Sequence, residues 1–268
     1  MNKSLYHYRQ FSNKNYYYIS SGKIYLFPMR PRLYIILSIF LFGLLYFYTA
    51  VCVSIILIFA LLHLKGPIRF LSQFWARSVF IILGKRFNVR GLENINREKR
   101  YILLANHGSM FDIVAIMSFY SGISWFGHER LLKVPLFGKI LQMTDYIPFR
   151  EPTYRNTKRM IEMLVHNSEH RTIAIFPEGT RTLNGKINQF YRGFIYLYRT
   201  REIEILPVTL NGFYNLKPKN RFYINFASKL DVVIHKPIKR EELMGKNDCE
   251  IIETVRSIIE SAYSKSDC

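Results

Sequence analysis

The stretch LLANHGSMFDIVAI, residues 103–116, contains two apolar segments separated by a short polar loop. The first segment predicts a buried strand, Tyr101–Ala105, and the second predicts a helix over residues 109–120. His107 and Asp112 are five positions apart, a spacing that cannot place both side chains on one face of a continuous helix. A loop that leads into a helix can bring them together, so we expect a strand–loop–helix unit with both side chains near the end of the strand.

The pair formed by His107 and Asp112 has two compatible interpretations. Ser109 and Asp112 match the S-x-x-D pattern of a helix start, where an acid near the N-terminus is favourable. In that interpretation Ser109 is the N-cap, Asp112 supports the helix start and His107 is a loop residue. Alternatively, His107 is a general base, and Asp112 fixes its tautomer and stabilises the imidazolium. A histidine held in this way makes an alcohol nucleophilic near neutral pH, and both interpretations stay open at this point.

A second polar turn, FPEGTR at residues 176–181, follows a strand predicted at 172–176. α/β proteins tend to bind ligands at the carboxyl ends of strands, where this turn is expected. Arg181 offers a planar set of donors suited to phosphate, and Glu178 can accept a hydrogen bond from a hydroxyl group. The alternative is an ordinary turn with a solvated arginine, and the six residues alone do not decide between the two.

Downstream of Gly66 and Pro67, short apolar runs alternate with amphipathic stretches, a pattern typical of an α/β fold. Further strands are predicted at 86–89, 123–126, 203–210, 222–226 and 231–235. Further helices are predicted at 153–166, at 193–200 and near the C-terminus, where apolar residues recur at helical spacing from Ile251 to Ala262. The predicted fold class is therefore α/β, with a sheet flanked by helices.

An apolar segment precedes the α/β region, since residues 33–62 include no charged side chain. About 18 such residues suffice for a membrane helix, and a single helix of this length would measure about 45 Å against about 30 Å of hydrocarbon. We therefore expect a tilted helix, a helix that extends beyond the bilayer, or a hairpin of two helices divided near Gly43. A cleaved signal peptide is excluded, because the basic head and the apolar core are both too long.

The sequence divides into three parts. These are a basic N-terminal arm at 1–32, a membrane-embedded helix or helical hairpin at 33–64, and an α/β domain at 65–268. Basic residues flank both ends of the apolar segment, so the charge distribution does not assign an orientation to it.

The net charge of +19 indicates an anionic partner, which could be nucleic acid, a membrane surface or a phosphorylated substrate. The sequence contains no nucleic-acid recognition motif, and the uncharged segment at 33–62 favours the membrane, so we predict no nucleic-acid partner. The three cysteines, Cys52, Cys249 and Cys268, lie far apart and form neither a metal-ligand spacing nor a disulfide framework. No metal site is therefore predicted.

Four motifs, taken in order, resemble those of the glycerolipid acyltransferase superfamily, and specifically those of its 1-acylglycerol-3-phosphate (lysophosphatidic acid) acyltransferases. The motifs are N-H-x-x-x-x-D at 106–112, a middle motif represented by Pro135, Gly138 and Arg150, F-P-E-G-T-R at 176–181, and an apolar segment with proline at 205–210. Each motif alone is modest, but four in the expected order argue against a chance match. The resemblance covers roughly residues 85–215.

The resemblance implies a glycerol-3-phosphate acyltransferase-like fold, in which a mixed sheet is flanked by helices, and a membrane-bound enzyme that makes phosphatidic acid. It implies that His107, oriented by Asp112, deprotonates the sn-2 hydroxyl of 1-acylglycerol 3-phosphate. The residues implied to bind the glycerol phosphate are Glu178, Gly179, Thr180 and Arg181, with help from Arg150. The implied acyl donor is acyl-CoA or acyl carrier protein, with no cofactor or metal. The catalytic domain is expected on the cytoplasmic face of the inner or plasma membrane, or of an equivalent membrane.

Two alternatives stay open. The acceptor could be another lyso-lipid, such as a lyso-ornithine lipid. In a different class, the chain could be a catalytically silent, membrane-anchored lipid-binding protein. The joint presence of His107, Asp112, Glu178 and Arg181 argues against that second alternative, because a silent protein has no chemical reason to keep both halves of a site.

Overall fold

The residues described by the computed structural model are 17–20, 23–26, 31–62, 64–134, 138, 141, 145–150 and 153–264. The strands are β1 Tyr17–Ser20, β2 Lys23–Leu26, β3 Phe87–Arg90, β4 Tyr101–Ala105, β5 Ile123–His128, β6 Ile147–Phe149, β7 Thr172–Ile175, β8 Glu204–Asn211 and β9 Leu230–Ile234. The α-helices are α1 Pro31–Leu61, α2 Lys65–Ile82, α3 Phe111–Phe119, α4 Tyr154–Ser168, α5 Gly193–Thr200, α6 Phe213–Leu216 and α7 Asp248–Ser261. Most of the predicted basic arm, together with Pro135 and Cys268, lies outside the described residues.

Seven strands form one mixed sheet in the order β3-β9-β8-β4-β7-β5-β6. Neighbouring strands run parallel except β8 and β9, which run antiparallel. β4 lies at the centre, and all five of its residues are buried. A parallel strand covered on both faces reads as a continuous apolar run, which is why β4 is predictable from the sequence. The mixed sheet flanked by helices confirms the predicted fold class.

Helices cover both faces of this sheet. Leu103 of β4 belongs to a core shared with α2 and α3, which includes Phe80 and Phe111. The next residue, Leu104, belongs to the core on the opposite face, which is shared with α4, α5 and α7. Successive side chains of a strand point to opposite faces, so one apolar strand contributes to two cores. Burial on both sides fixes where β4 ends and where the loop after it begins.

The register of the sheet brings the two predicted motifs together. Leu104 of β4 lies opposite Ile175 of β7, and the two strands run parallel. Their carboxyl ends therefore reach the same edge of the sheet, where loop 106–110 and turn 176–181 begin side by side. β8 pairs with the other side of β4, also in parallel, so the chain after Asn211 reaches this place as well. We call the end of the sheet formed by β8, β4 and β7 the carboxyl edge.

Most predicted elements are present with shifted ends. Strand Tyr101–Ala105 and helix Gly193–Thr200 have the predicted bounds, while the helix predicted over 109–120 covers Phe111–Phe119. Strand Ile147–Phe149 has no counterpart in the sequence prediction. A strand of three residues carries too little apolar pattern to be recognised from the sequence. Its proline, Pro148, is tolerated because β6 is the outermost strand of the sheet.

The strand predicted at 222–226 is wrong. This segment is irregular and packs along α1 instead of joining the sheet. The backbone N–H of Ile224 donates to Ser38 Oγ at 2.9 Å, and the rings of Tyr223 and Tyr34 have centroids 6.2 Å apart. Ile224 is buried and Phe226 is partly buried, while Phe222 is exposed. An alternating pattern does not specify whether a strand or a helix provides the burial.

The apolar segment forms α1, a single helix that runs without interruption through Gly43, so a hairpin divided at Gly43 is wrong. A second helix, α2, follows it and packs against it, with Trp75 Nε1 donating to Thr49 Oγ1 at 3.1 Å. By length and composition Arg32–Phe59 could cross a membrane, and only 17% of its apolar window is buried. Large apolar side chains such as Phe40 therefore lie on the outside of the molecule.

Candidate active site

Asn106 fixes the start of the loop after β4. Its buried side-chain amide donates to the carbonyl of Leu210 at 3.0 Å, and its Oδ1 accepts from the N–H of Leu210 at 2.7 Å. These two bonds continue the pairing of β4 with β8 one residue beyond the end of β4. The next residue, His107, therefore leaves the sheet from a fixed position.

The side chains of His107 and Asp112 are in contact across the loop-to-helix transition. His107 Nδ1 and Asp112 Oδ2 are 2.8 Å apart, and the aspartate is fully buried. The same oxygen accepts from the N–H groups of Gly108 and Ser109, each at 2.8 Å. A carboxylate oxygen can only accept hydrogen bonds, so its bond to the ring requires the proton of neutral His107 to be on Nδ1. Nε2 then keeps its lone pair and can act as a base.

Ser109 makes the predicted helix-start contacts, although the helix is assigned from Phe111 with Met110 in the N-cap position. Its Oγ accepts from the N–H of Phe111 at 3.4 Å, and its own N–H donates to the Asp112 carboxylate. The Ser109 hydroxyl also donates to the carbonyl of Lys217 at 2.8 Å. Asp112 provides the helix-start interaction, because its carboxylate binds N–H groups immediately in front of the helix.

The imidazole of His107 is the first of three stacked aromatic rings, and this stacking fixes the orientation of the imidazole plane. The imidazole lies on Phe176 with centroids 4.0 Å apart and planes inclined by 13°, and Phe176 lies on Trp125 at 5.6 Å. Stacking fixes the plane of the ring and Asp112 fixes its rotation within that plane, so Nε2 has a defined direction. The sequence pattern does not reveal the stack, because it depends on β5 pairing with β7. The His107 side chain is 16% exposed, which leaves the ring accessible to a substrate.

Glu178 is buried and joins two backbone segments. Its Oε1 accepts from the N–H of His107 at 2.6 Å, and its Oε2 accepts from the N–H of Asn188 at 2.9 Å. Burial raises the pKa of Glu178 to about 7, although these two amides lower it. Because both oxygens are engaged with the backbone, the contacts favour a positioning role for Glu178 over the substrate contact that the resemblance implies.

We expect the stability of the protein to depend on pH through Glu178. A carboxyl whose pKa is higher in the folded protein contributes stability that is fully present below its ordinary pKa and is lost as the pH rises through the folded value. For Glu178 this window runs from 4.5 to about 7. The free energy of unfolding should therefore fall across it by about 3 kcal/mol at most, relative to a Glu178→Gln variant.

Thermal unfolding of the purified protein in detergent at several pH values between 4.5 and 8 measures this difference. The Glu178→Gln variant should gain stability relative to wild type as the pH rises, because glutamine stays neutral throughout. Glu162→Gln, on the exposed side of α4, is the matched control and should leave the pH profile unchanged. A constant difference between wild type and Glu178→Gln across the range would contradict the assignment.

The turn at 179–181 lies against the loop that carries His107. The N–H of Thr182 donates to the carbonyl of His107 at 2.9 Å, which ties the two segments together. Gly179 has a φ of +67°, and a Cβ there would lie 3.3 Å from the ring of Tyr191, so this position requires glycine. Thr180 is exposed at the carboxyl edge, and Arg181 is partly exposed beside it.

Sequence reasoning missed a third segment at the carboxyl edge, KPKNR at residues 217–221. Lys219 Nζ lies 3.4 Å from Thr180 Oγ1. This contact places the segment beside the turn at 179–181. Burial, followed by the positive charges of Arg181 and Arg221, lowers the pKa of Lys217. The signal that could have revealed the segment is three basic residues out of five shortly after a predicted strand.

Arg150 lies apart from these residues. It follows β6, which is two strands beyond β7 in the sheet, or about 10 Å away at the usual strand spacing. Its Nε forms an ion pair with Glu129 Oε2 at 2.9 Å, and it borders a cavity of about 260 Å³ together with Arg159 and Met160. A role of Arg150 at the phosphate stays a prediction, because its contacts among the described residues do not include the turn at 179–181.

Sequence comparison shows which known proteins the chain resembles. Residues 86–211 match the family model for Acyltransferase, a range that contains both the 106–112 and the 176–181 motifs. The chain is 26% identical over 194 residues to a chloroplastic 1-acyl-sn-glycerol-3-phosphate acyltransferase of Arabidopsis thaliana, covering 69% of this chain and 53% of that protein. It is 29% identical over 184 residues to the 1-acyl-sn-glycerol-3-phosphate acyltransferase of Pseudomonas aeruginosa, covering 65% of this chain and 66% of that protein. The chain thus spans about half the length of the plant relative.

Structural comparison agrees with the sequence match. The crystal structure of the 1-acyl-sn-glycerophosphate (LPA) acyltransferase PlsC from Thermotoga maritima superposes with a TM-score of 0.74 at 24% sequence identity. The superposition covers 85% of this chain and 95% of that one, so the two proteins share a fold. Residues 86–211 therefore match the Acyltransferase family model, and the chain is similar to relatives that are 1-acyl-sn-glycerol-3-phosphate acyltransferases.

Proposed function

We propose that this protein transfers a fatty acyl group from acyl-CoA or acyl carrier protein to the sn-2 hydroxyl of 1-acylglycerol 3-phosphate, giving phosphatidic acid. The observation that carries the proposal is the position of the His107–Asp112 pair beside Arg181 at the carboxyl edge. A base and an anion-binding arginine on neighbouring loops suit an acceptor that contains both an alcohol and a phosphate. The names of the relatives support the same reaction.

The chemistry follows from the orientation of His107. Nε2 takes the proton of the acceptor hydroxyl while the hydroxyl oxygen forms a bond to the carbonyl carbon of the thioester. The carbon–sulfur bond breaks, and the departing thiolate receives the proton that His107 carried. Asp112 stabilises the imidazolium between these two proton transfers, because its charged oxygen lies 2.8 Å from Nδ1.

An apolar cavity suits the acyl chains, and residues next to Asp112 in the sequence line it. It has a volume of about 640 Å³ and is lined mainly by residues of α1, α2, α3 and β5. Met110 and Phe111, which line it, stand directly before Asp112 in the sequence. A long alkyl chain buried there would reach the reacting atoms from the side of the two N-terminal helices. Most of its lining is apolar, which matches a hydrocarbon ligand.

Membrane association is part of the proposal. The exposed apolar surface of α1 favours insertion into a bilayer, where the acceptor lipid is dissolved. The net charge of +19 favours an anionic membrane surface. We place the catalytic domain on the cytoplasmic side, because acyl-CoA and acyl carrier protein are soluble donors of that compartment.

Acyl transfer in isolated membranes tests the proposal. Washed membranes that contain the wild-type protein should release thiol from acyl-CoA, or from acyl carrier protein, when lysophosphatidate is added. If Arg181 binds the phosphate, Arg181→Ala should lower kcat/KM for lysophosphatidate by about 10- to 100-fold, the size of a lost hydrogen bond to a charged group. Turnover of an acceptor without phosphate, such as a lyso-ornithine lipid, should change far less.

Arg90→Ala is the matched control for Arg181→Ala. Arg90 is an exposed arginine of β3, at the far end of the sheet, and pairs with Asp231 at 2.7 Å. Its removal should leave the kinetics unchanged, since exposed ion pairs contribute little. Wild-type membranes that release no thiol with either donor would reject the proposed reaction in favour of a lipid-binding protein.

A further inference from the structure

Lys217 is a buried cation that the proposed reaction has not yet used. It is 9% exposed and stands directly after α6, with its N–H donating to the carbonyl of Phe213 at 3.1 Å. Its ammonium group donates to the carbonyl of Pro218 at 3.2 Å. Within the described residues, no carboxylate lies within ion-pair distance of it. Burying a charge without an opposite charge is costly, which calls for an explanation.

The loop that carries His107 fixes the position of Lys217. The fully buried hydroxyl of Ser109 donates to the Lys217 carbonyl at 2.8 Å. Tyr214, on α6, packs against the backbone of Gly108, where a Cβ would come within 3.2 Å of it. The segment with Lys217 is therefore attached to the same loop as the base, at a separation of 108 positions in the sequence.

Two arginines lie in segments close to that of Lys217. Burial lowers the pKa of Lys217, and the positive charges of Arg181 and Arg221 lower it further. Arg221 is engaged by the backbone, since its guanidinium donates to the carbonyls of Asn215, Leu216 and Tyr223. Arg181 differs, because none of the described residues hydrogen-bonds or ion-pairs with its side chain. The segment of Lys217 contacts the loop of His107 through Ser109, and the turn of Arg181 contacts the same loop through Thr182. Two cations without an acidic partner among the described residues therefore come from segments that flank this loop.

We propose that Lys217 is a second cation of the acceptor-phosphate site, and that the pair Arg181–Lys217 selects a phosphate monoester over zwitterionic or uncharged headgroups. This inference rests on the proposed function, because the site would serve the acceptor of that reaction. A phosphate monoester carries about −1.5 to −2 charges near neutral pH, which two cations match. A phosphodiester headgroup with a positive amine carries no net charge and would bring that amine towards Lys217.

Binding and turnover by Lys217 variants test the inference. The full-length protein in uncharged detergent micelles is titrated with lysophosphatidate and with lysophosphatidylcholine, and kcat and KM are measured for each. Lys217→Met should raise the Kd and the KM for lysophosphatidate by about 10- to 100-fold and change those for lysophosphatidylcholine less than about 3-fold. The kcat should change little, because Lys217 is assigned to the phosphate and not to the reacting atoms.

Two further variants separate charge from folding. Lys217→Arg keeps the charge and should retain most of the preference for lysophosphatidate. Lys236→Met removes an exposed lysine after β9 and is the matched control for the loss of one positive charge. Melting temperatures check that each variant is folded, and methionine is expected to be tolerated because it removes the cost of burying a charge without an opposite charge.

The outcomes separate this inference from the proposed function. If wild type acylates lysophosphatidate and Lys217→Met behaves like Lys236→Met, the inference is wrong and the function stands. If wild type binds lysophosphatidate in preference to lysophosphatidylcholine without acylating it, and Lys217→Met loses that preference, the function is wrong and the phosphate site stands. If wild type shows no preference between the two lipids, the two-cation site is rejected whatever the turnover.

Discussion

Replacing His107 by alanine is expected to lower kcat for acyl transfer by about 10³-fold, within the usual range for the loss of a general base. The KM for lysophosphatidate should change little, because the phosphate is assigned to Arg181 and Lys217. The imidazole is 16% exposed and packs on Phe176, so its removal should cost only modest stability. Thiol release from acyl-CoA, measured with purified protein over a range of lysophosphatidate concentrations, gives both constants.

His170→Ala is the control for this variant. His170 is an exposed histidine two residues beyond the end of α4, and its ring contacts His166 at a centroid distance of 5.8 Å. Its removal should leave kcat within the error of the assay. Equal rates for wild type and His107→Ala would remove the imidazole from the mechanism.

Replacing Asp112 by asparagine is expected to lower kcat by about 10²-fold or more without changing the tautomer of His107. Three donors converge on Asp112 Oδ2, namely His107 Nδ1 and the N–H groups of Gly108 and Ser109. An asparagine would therefore direct its carbonyl oxygen to this position and keep Nε2 unprotonated. The lost rate would come from the missing negative charge, which no longer stabilises the imidazolium.

The same variant should also lose stability. Asp112 Oδ1 is buried and has no hydrogen-bond partner among the described residues, so the amide NH₂ of asparagine would be buried there without an acceptor. Such a donor costs about 1–3 kcal/mol. Asp248→Asn, in an exposed ion pair with Arg199, is the control. A variant Asp112→Asn with wild-type kcat would show that the carboxylate acts only at the helix start.

The sequence predicted the parts of this fold that depend on local pattern. β4 is a continuous apolar run, and its ends could be read directly because a central parallel strand is buried on both faces. The contact between His107 and Asp112 also follows from local geometry, since a loop of a few residues joins them. The prediction of a strand at 222–226 was wrong because a strand and an irregular segment packed on a helix can share the same apolar pattern.

The sequence did not predict the contacts between distant segments. Glu178 looked like a group for the substrate, but its oxygens bind backbone amides, including that of His107 at a separation of 71 positions. The turn that contains Glu178 supports His107 only because β7 pairs with β4. In the same way, Phe176 can stack on His107 only in the parallel register of these strands.

By itself the sequence determined the α/β class, the apolar N-terminal helix and the identity of the side chains available for chemistry. Periodicity, an uncharged segment and motif order are properties of the chain that need no knowledge of its neighbours. Only the tertiary structure decided which of those side chains lie together at the candidate site. Parallel pairing of β8, β4 and β7 brings three loops to one edge, so it places the segment of Lys217 against the loop of His107 and turns Glu178 inward. Burial at that edge depends on segments about a hundred residues apart, and no local pattern encodes it.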